Sequence, residues 1–204
     1  MIDRFMRGVK NTLLCTPATL LSRRVSALPI TVAAFVVGIA AITAAAAGAM
    51  GIACALWLLN RILDGVDGEV ARIRGESSDL GGYVDMIGDA VVYAALPVAI
   101  ALHRGDPAFT MSALVMVAAF YGNLASWMYL SALLEKRRQT DNDRTTSIEM
   151  PSGLMEGTET IVLYTALLLI PSFGVAIALV GAAGGAIGIV QRLVWAIRTL
   201  HDAA

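Results

Sequence analysis

Six apolar stretches, each close to the length of a membrane span, tile nearly the whole of this 204-residue chain. They fall at about residues 29–48, 50–73, 79–102, 108–134, 156–173 and 174–198. A helix that crosses the hydrocarbon core needs roughly 20 mainly apolar residues. The pattern therefore predicts an all-α polytopic membrane protein with six transmembrane helices, in one domain over residues 1–204. Composition agrees, with 57% hydrophobic residues, 15% charged residues and a mean hydropathy of +0.72, far more apolar than an ordinary soluble domain.

The net charge of -1 says little, but the placement of the basic residues orients the spans. With a cytoplasmic N-terminus, the inner side receives Arg4, Arg7, Lys10, Arg23, Arg24, Arg72, Arg74, Lys136, Arg137, Arg138, Arg144 and Arg198, and the outer loops receive Arg104. The positive-inside rule then puts both termini on the cytoplasmic side, with a bacterial cytoplasmic membrane as the expected location. The first 25 residues read as a basic amphipathic segment lying on the inner leaflet, with Phe5, Met6, Val9, Leu13 and Leu14 toward lipid. A disordered basic tail is the alternative. Cys15 and Cys54 suggest no disulfide framework, and no nucleic-acid partner is expected.

Residues 60–90 stand apart, because an otherwise apolar pair of spans holds four aspartates: Asp64, Asp67, Asp85 and Asp89. An ionised carboxylate inside a membrane costs a few kcal/mol, so four need compensation. Asp64 and Asp67 are three apart and Asp85 and Asp89 four apart, which puts each pair on one helix face. Gly75, Ser77, Ser78 and Asp79 supply a helix stop and restart between the pairs. At about 1.5 Å rise per residue, both pairs reach similar depth. Converging carboxylates stay ionised only beside cations. Oxygen ligands select Mg²⁺, Mn²⁺ or Ca²⁺, and two divalent ions balance four charges. Such ions commonly share their ligands with substrate phosphates. Gly68 follows Asp67, about one turn beyond Asp64, and Gly81 lies about one turn before Asp85, where a ligand can approach the backbone; close helix packing is the other reading.

The spacing D64-x2-D67-G68-x2-A71-R72-x8-G81-x3-D85-x3-D89 resembles the signature of the CDP-alcohol phosphotransferases. Eight fixed residues at roughly 1 in 20 usage each match by chance on the order of 10⁻¹⁰ per starting position. The resemblance implies that Asp64, Asp67 and Asp85 hold one Mg²⁺ or Mn²⁺, and Asp64, Asp85 and Asp89 a second. It implies a nucleotide site at Gly68, Ala71, Arg72 and Gly81, although Arg72 at a span end also suits an interfacial anchor. It assigns Asp89 as the catalytic base. The implied reaction moves a phosphatidyl group from CDP-diacylglycerol to the hydroxyl of a small alcohol, with release of CMP, and a homodimer is expected, as in relatives. Transfer of a phosphoalcohol from a CDP-alcohol to a lipid hydroxyl is the alternative within the family, and a cation transporter with buried aspartates is the alternative outside it. Relatives often carry Thr-Pro-Asn-x-x-Thr before the first span. Here Ser26-Ala27-Leu28-Pro29-Ile30-Thr31 keeps the threonine and loses the Pro-Asn pair.

Acceptor candidates are polar residues in or beside the spans: Asn123, Glu156, Gln191 and Arg192, with Arg61, Ser126 and Glu159. Gln191-Arg192 resembles a Gln-Arg pair in the last span of family members, where basic residues help hold a phosphorylated acceptor; a snorkelling arginine is the plainer reading. Gly153-Leu154-Met155-Glu156-Gly157 is similar to the Gly-x-x-Glu-Gly of choline and ethanolamine phosphotransferases. Arg61, one turn before Asp64, either offsets the aspartates or meets the acceptor. Gly181, Gly184, Gly185 and Gly188 permit close helix approach, within the chain or in a dimer.

Overall fold

A computed structural model describes residues 18–140, 153–155 and 157–201. From residue 27 on, the described residues form the α-helices α1 Ala27–Ala46, α2 Met50–Arg74, α3 Asp79–Arg104, α4 Pro107–Thr140, α5 Gly157–Leu169 and α6 Gly174–His201. A 3-10 turn over Pro171–Phe173 joins the last two, and there are no strands among the described residues. Most of the expected interfacial segment 1–25 lies outside the described residues; residues 18–22 are helical.

Among the described residues, four helices are long and apolar enough to cross a membrane: Ala27–Ala46, Asp79–Arg104, Pro107–Arg137 and Pro171–Leu200. The chain is an integral membrane protein. The other two expected spans differ for physical reasons. α2 has the length but carries Arg61, Asp64, Asp67, Glu69, Arg72 and Arg74. α5 has 13 helical residues and stops because a proline restricts the residue before it to extended backbone; Ile170, ahead of Pro171, takes φ -125°.

Local chemistry sets the other ends. Gly75 closes α2 in the left-handed region at φ 65°, a backbone that side chains with a Cβ disfavour. Ser78 caps α3, its hydroxyl accepting from Gly81 N at 3.1 Å. Asp106 caps α4 through Ala108 N at 3.0 Å, with Pro107 supplying a helix start that needs no N–H.

α1 packs on α2 and α3, α3 on α4, α4 on α6, and α5 on α2 and α6. Burying apolar area against lipid gains little, so membrane helices associate through close packing and hydrogen bonds. Ala34, Ala41, Ala45, Ala53, Ala99, Ala113 and Ala178 are buried accordingly, and Gly38 lets Val92 and Asn60 press onto α1. Trp57, Tyr93, Tyr164 and Phe120 form an aromatic stack at the centre. Pro97 inside α3 has no N–H for the carbonyl one turn back, at Tyr93. The Tyr164 hydroxyl of α5 donates to that carbonyl at 2.6 Å.

Candidate active site

The turn at 75–78 brings α3 back toward α2, so that Asp64 of the first pair meets Asp85 and Asp89 of the second. Asp64, Asp85 and Asp89 each offer an oxygen within 4.8 Å of the others. Asp67 stands apart from this trio. It is 4% exposed, the Thr31 side chain of α1 lies against it, and its Oδ2 is buried without a hydrogen-bond partner among the described residues. A buried carboxylate oxygen left bare is costly. With three half-buried carboxylates beside it, this donor set fits hard divalent cations and no softer metal.

Beside the trio opens a cavity of about 310 Å³. Gly68, Ala71, Arg72 and Gly81 all line it, together with Asp67 and Asp85. A Cβ on Gly68 would come no closer to any neighbour than 3.8 Å, at Arg72 Nη1, and one on Gly81 would meet only the Ser78 hydroxyl at 3.1 Å. Neither glycine is there for helix packing; both leave open space. Arg72 stands at the cavity wall with its guanidinium on Glu69, at 3.2 Å from Nε and 2.5 Å from Nη2.

The rest of the wall was not singled out as binding residues from the sequence: Ser26, Ala27, Leu28 and Thr31 at the start of α1, Glu76, Ser77 and Ser78 from the turn, and Gly82. The Ser26–Thr31 stretch could have been found, since it occupies the place of the Thr-Pro-Asn motif. Arg74 braces this end. It donates to the Ser22 carbonyl at 2.6 Å and to Glu76 at 2.7 Å, and its guanidinium holds the Glu76 carboxyl below the usual carboxylate range.

Below the trio, Arg61 forks onto Asp89, with Nη1 3.0 Å from Oδ2 and Nη2 2.5 Å from Oδ1, and lies 3.8 Å from Asp64. Of its two sequence readings, the geometry shows the one that offsets the aspartates.

Asn123 and Arg192 come together elsewhere, between α4 and α6, while the exposed Gln191 holds the chain ahead of α5. Arg192 Nη1 donates to the Asn123 carbonyl at 3.0 Å and to its Oδ1 at 2.5 Å, and Leu154 N donates to Gln191 Oε1 at 2.9 Å. Arg192 is 5% exposed, so it is a buried clasp and does not snorkel to an interface. None of the three lines the cavity. Glu156 lies outside the described residues.

A family model described as CDP-alcohol phosphatidyltransferase matches residues 24–190. The chain belongs to the CDP-alcohol phosphatidyltransferase family. It is accordingly an enzyme that transfers substituted phosphate groups, and the transporter alternative falls away. Inner membrane protein YnjF of Escherichia coli is 36% identical over 149 residues, 71% of this chain and 69% of that protein. A bifunctional IPC transferase and DIPP synthase of Thermococcus kodakarensis is 43% identical over 74 residues, covering 36% of this chain and 17% of that one. Among solved structures, the phosphatidylinositol phosphate synthase of Mycobacterium tuberculosis with CDP-DAG bound shares the fold, with a TM-score of 0.66 at 17% identity over 91% of this chain and 92% of that one. The same synthase with manganese and citrate gives 0.64 at 16% identity, over 90% and 87%.

Proposed function

We propose that this member of the family transfers a phosphatidyl group from CDP-diacylglycerol to the hydroxyl of a small alcohol and releases CMP. One observation carries the reading: Asp85 belongs both to the carboxylate trio and to the wall of a cavity lined by Gly68, Ala71, Arg72 and Gly81. A nucleotide in that cavity has its diphosphate beside the aspartates. The synthase of the shared fold was captured with CDP-DAG in one structure and manganese in another, which supports a lipid-linked CDP donor and a divalent cation here.

In this reading Asp64, Asp67, Asp85 and Asp89 hold two divalent cations, Mg²⁺ or Mn²⁺, which when bound neutralise the diphosphate and the charge that develops on it. The open backbone at Gly68 and Gly81 leaves room for the cytidine, with Ala71 on the same face. Arg72 swings from Glu69 toward the nucleotide. Asp89 takes the proton of the acceptor hydroxyl as its oxygen bonds to the β-phosphorus, and the bond from that phosphorus to the bridging oxygen breaks with its electrons leaving on CMP. The acceptor approaches from the α4–α6 side of the trio, where Asn123 and Arg192 lie.

The same reading has one domain over residues 1–204, with α2 and α5 completing six spans, an interfacial N-terminal segment, and termini and cavity on the cytoplasmic side. The charges of α2 face α1, α3 and the cavity, which is how a helix so rich in them can sit in lipid. It includes a homodimer. The glycines of α6 do not speak for one, because neighbours within the chain fill them.

The test is CMP release by purified protein with Mn²⁺, offering CDP-diacylglycerol with a panel of polyols, polyol phosphates and amino alcohols, and CDP-alcohols with diacylglycerol in parallel. Turnover with a CDP-alcohol and diacylglycerol alone would reverse donor and acceptor. Unchanged turnover in Asp89→Asn would sink the mechanism.

A further inference from the structure

Arg61 is not part of the family spacing, yet it is the most completely engaged side chain near the aspartates. It is 6% exposed. Beyond the fork on Asp89, its Nε and Nη2 donate to Asn60 Oδ1 at 2.8 and 2.6 Å, and Nη1 donates to the Tyr93 hydroxyl at 2.9 Å. The guanidinium carbon stands 4.9 Å from the Trp57 ring centroid and 5.0 Å from that of Tyr93. Asn60 in turn donates to the Ala34 carbonyl of α1 at 2.7 Å. A guanidinium held on all these sides has one place to be. It passes that order to Asp89, whose carboxylate is otherwise partly open, at 28% exposure.

We propose that Arg61 is a positioning residue for Asp89 and the resident counter-charge of the aspartate trio. Two separable properties of one side chain are at work. The planar fork fixes both oxygens of Asp89, so the carboxylate faces the acceptor hydroxyl in a single orientation. The positive charge lies against Asp89 and 3.8 Å from Asp64, so it opposes a divalent cation drawn to the same carboxylates. The fork speeds turnover, whereas the charge weakens cation binding. A residue that merely held the helices together would do neither. The positioning role rests on the reading of Asp89 as the acceptor's base, while the counter-charge role does not.

The experiment uses full-length protein in detergent micelles, as Arg61→Lys, Arg61→Met and Arg61→Gln, with Asp89→Asn alongside. Free Mn²⁺, counted by its electron paramagnetic resonance signal, gives cation affinity without turnover. CMP release gives kcat and the donor KM. Arg61→Lys keeps the charge and loses the fork: Mn²⁺ affinity is expected to stay within about twofold and kcat to fall about 10²-fold, the scale of a reacting group misplaced by about 1 Å, with donor KM unchanged. Arg61→Met fills the space without the charge and is expected to bind Mn²⁺ on the order of tenfold more tightly while losing at least as much kcat. Arg61→Gln supplies the same comparison should the methionine variant not fold.

Wild-type kcat in Arg61→Lys overturns the positioning role. Unchanged or weaker Mn²⁺ binding in the neutral variants overturns the counter-charge role. Wild-type turnover in Asp89→Asn instead overturns the reading of Asp89, a result visible without any Arg61 variant.

Discussion

Glycines sit at both ends of the chemistry in this chain, and they do opposite things. Around the cavity, Gly68 and Gly81 face empty space apart from Arg72 and Ser78, and Gly82 has nothing within 4 Å. On α6 the space is taken. A Cβ on Gly181 would fall 2.7 Å from Leu163 and 2.8 Å from Met116, one on Gly185 would press on Ala119 and Phe120, and one on Gly188 would come 2.7 Å from Asn123 Oδ1. The polar groups follow suit: the carboxylates of the trio are half-buried, while Arg192 donates to Asn123 inside a helix contact. One residue type at helical spacing thus serves a ligand in one half and packing in the other. Only the third dimension tells them apart.

The largest break in that comparison comes from the carboxylates. Asp85→Asn removes the residue shared by trio and cavity, and CMP release is expected to fall on the order of 10³-fold, the scale lost with a preorganised charge-stabilising group. Thermal unfolding is expected near wild type, because the change also relieves repulsion among the acids. A variant that unfolds while its folded fraction keeps full turnover would make Asp85 structural.

Next come the glycines themselves. Gly68→Leu fills the cavity and is expected to raise the donor KM by about tenfold to a hundredfold, comparable to losing a few kcal/mol of binding, with stability little changed. Gly181→Leu is expected to cost about 1–3 kcal/mol or more in stability through overpacking, with donor KM unchanged in the folded fraction. If the two variants exchange phenotypes, the contrast between the halves is wrong.

A smaller effect separates clasp from acceptor site. Asn123→Ala removes the Oδ1 acceptor of a buried arginine and leaves the backbone carbonyl; it is expected to cost about 1 kcal/mol or somewhat more, read as a lower Tm, while donor KM holds. A rise in acceptor KM with Tm unmoved would show that Asn123 serves the acceptor and not the clasp.

How much of this was legible follows the same division. The helical rise fixes where Asp64, Asp67, Asp85 and Asp89 fall once Gly75 and Ser78 are read as stop and start, and the structure ends α2 at Arg74 and starts α3 at Asp79. Gly68, Ala71, Arg72 and Gly81 line one cavity, as their family spacing implies. What joins one helix to another has no period to read. The withdrawal of Asp67 toward Thr31, the Asn60 and Arg61 network and the wall from Ser26 and Leu28 all depend on how α1 lies across α2. The fifth span is shorter than its apolar run, because Pro171 stops the helix where hydropathy does not.

The smallest expected effect tests the floor beneath the trio, where Pro97 leaves the Tyr93 carbonyl without its helical donor and the Tyr164 hydroxyl supplies one at 2.6 Å. Hydrogen bonds between membrane helices average about 0.6 kcal/mol, so Tyr164→Phe alone is expected to lower stability by about that amount. In a Pro97→Ala background the helix regains its own N–H, the carbonyl no longer needs Tyr164, and the same substitution is expected to cost nothing further. A double-mutant cycle on Tm reads that coupling directly. Equal losses in both backgrounds would mean that Tyr164 matters for its stacking on Trp57, 5.2 Å between centroids, and that the Tyr93 carbonyl finds its donor elsewhere.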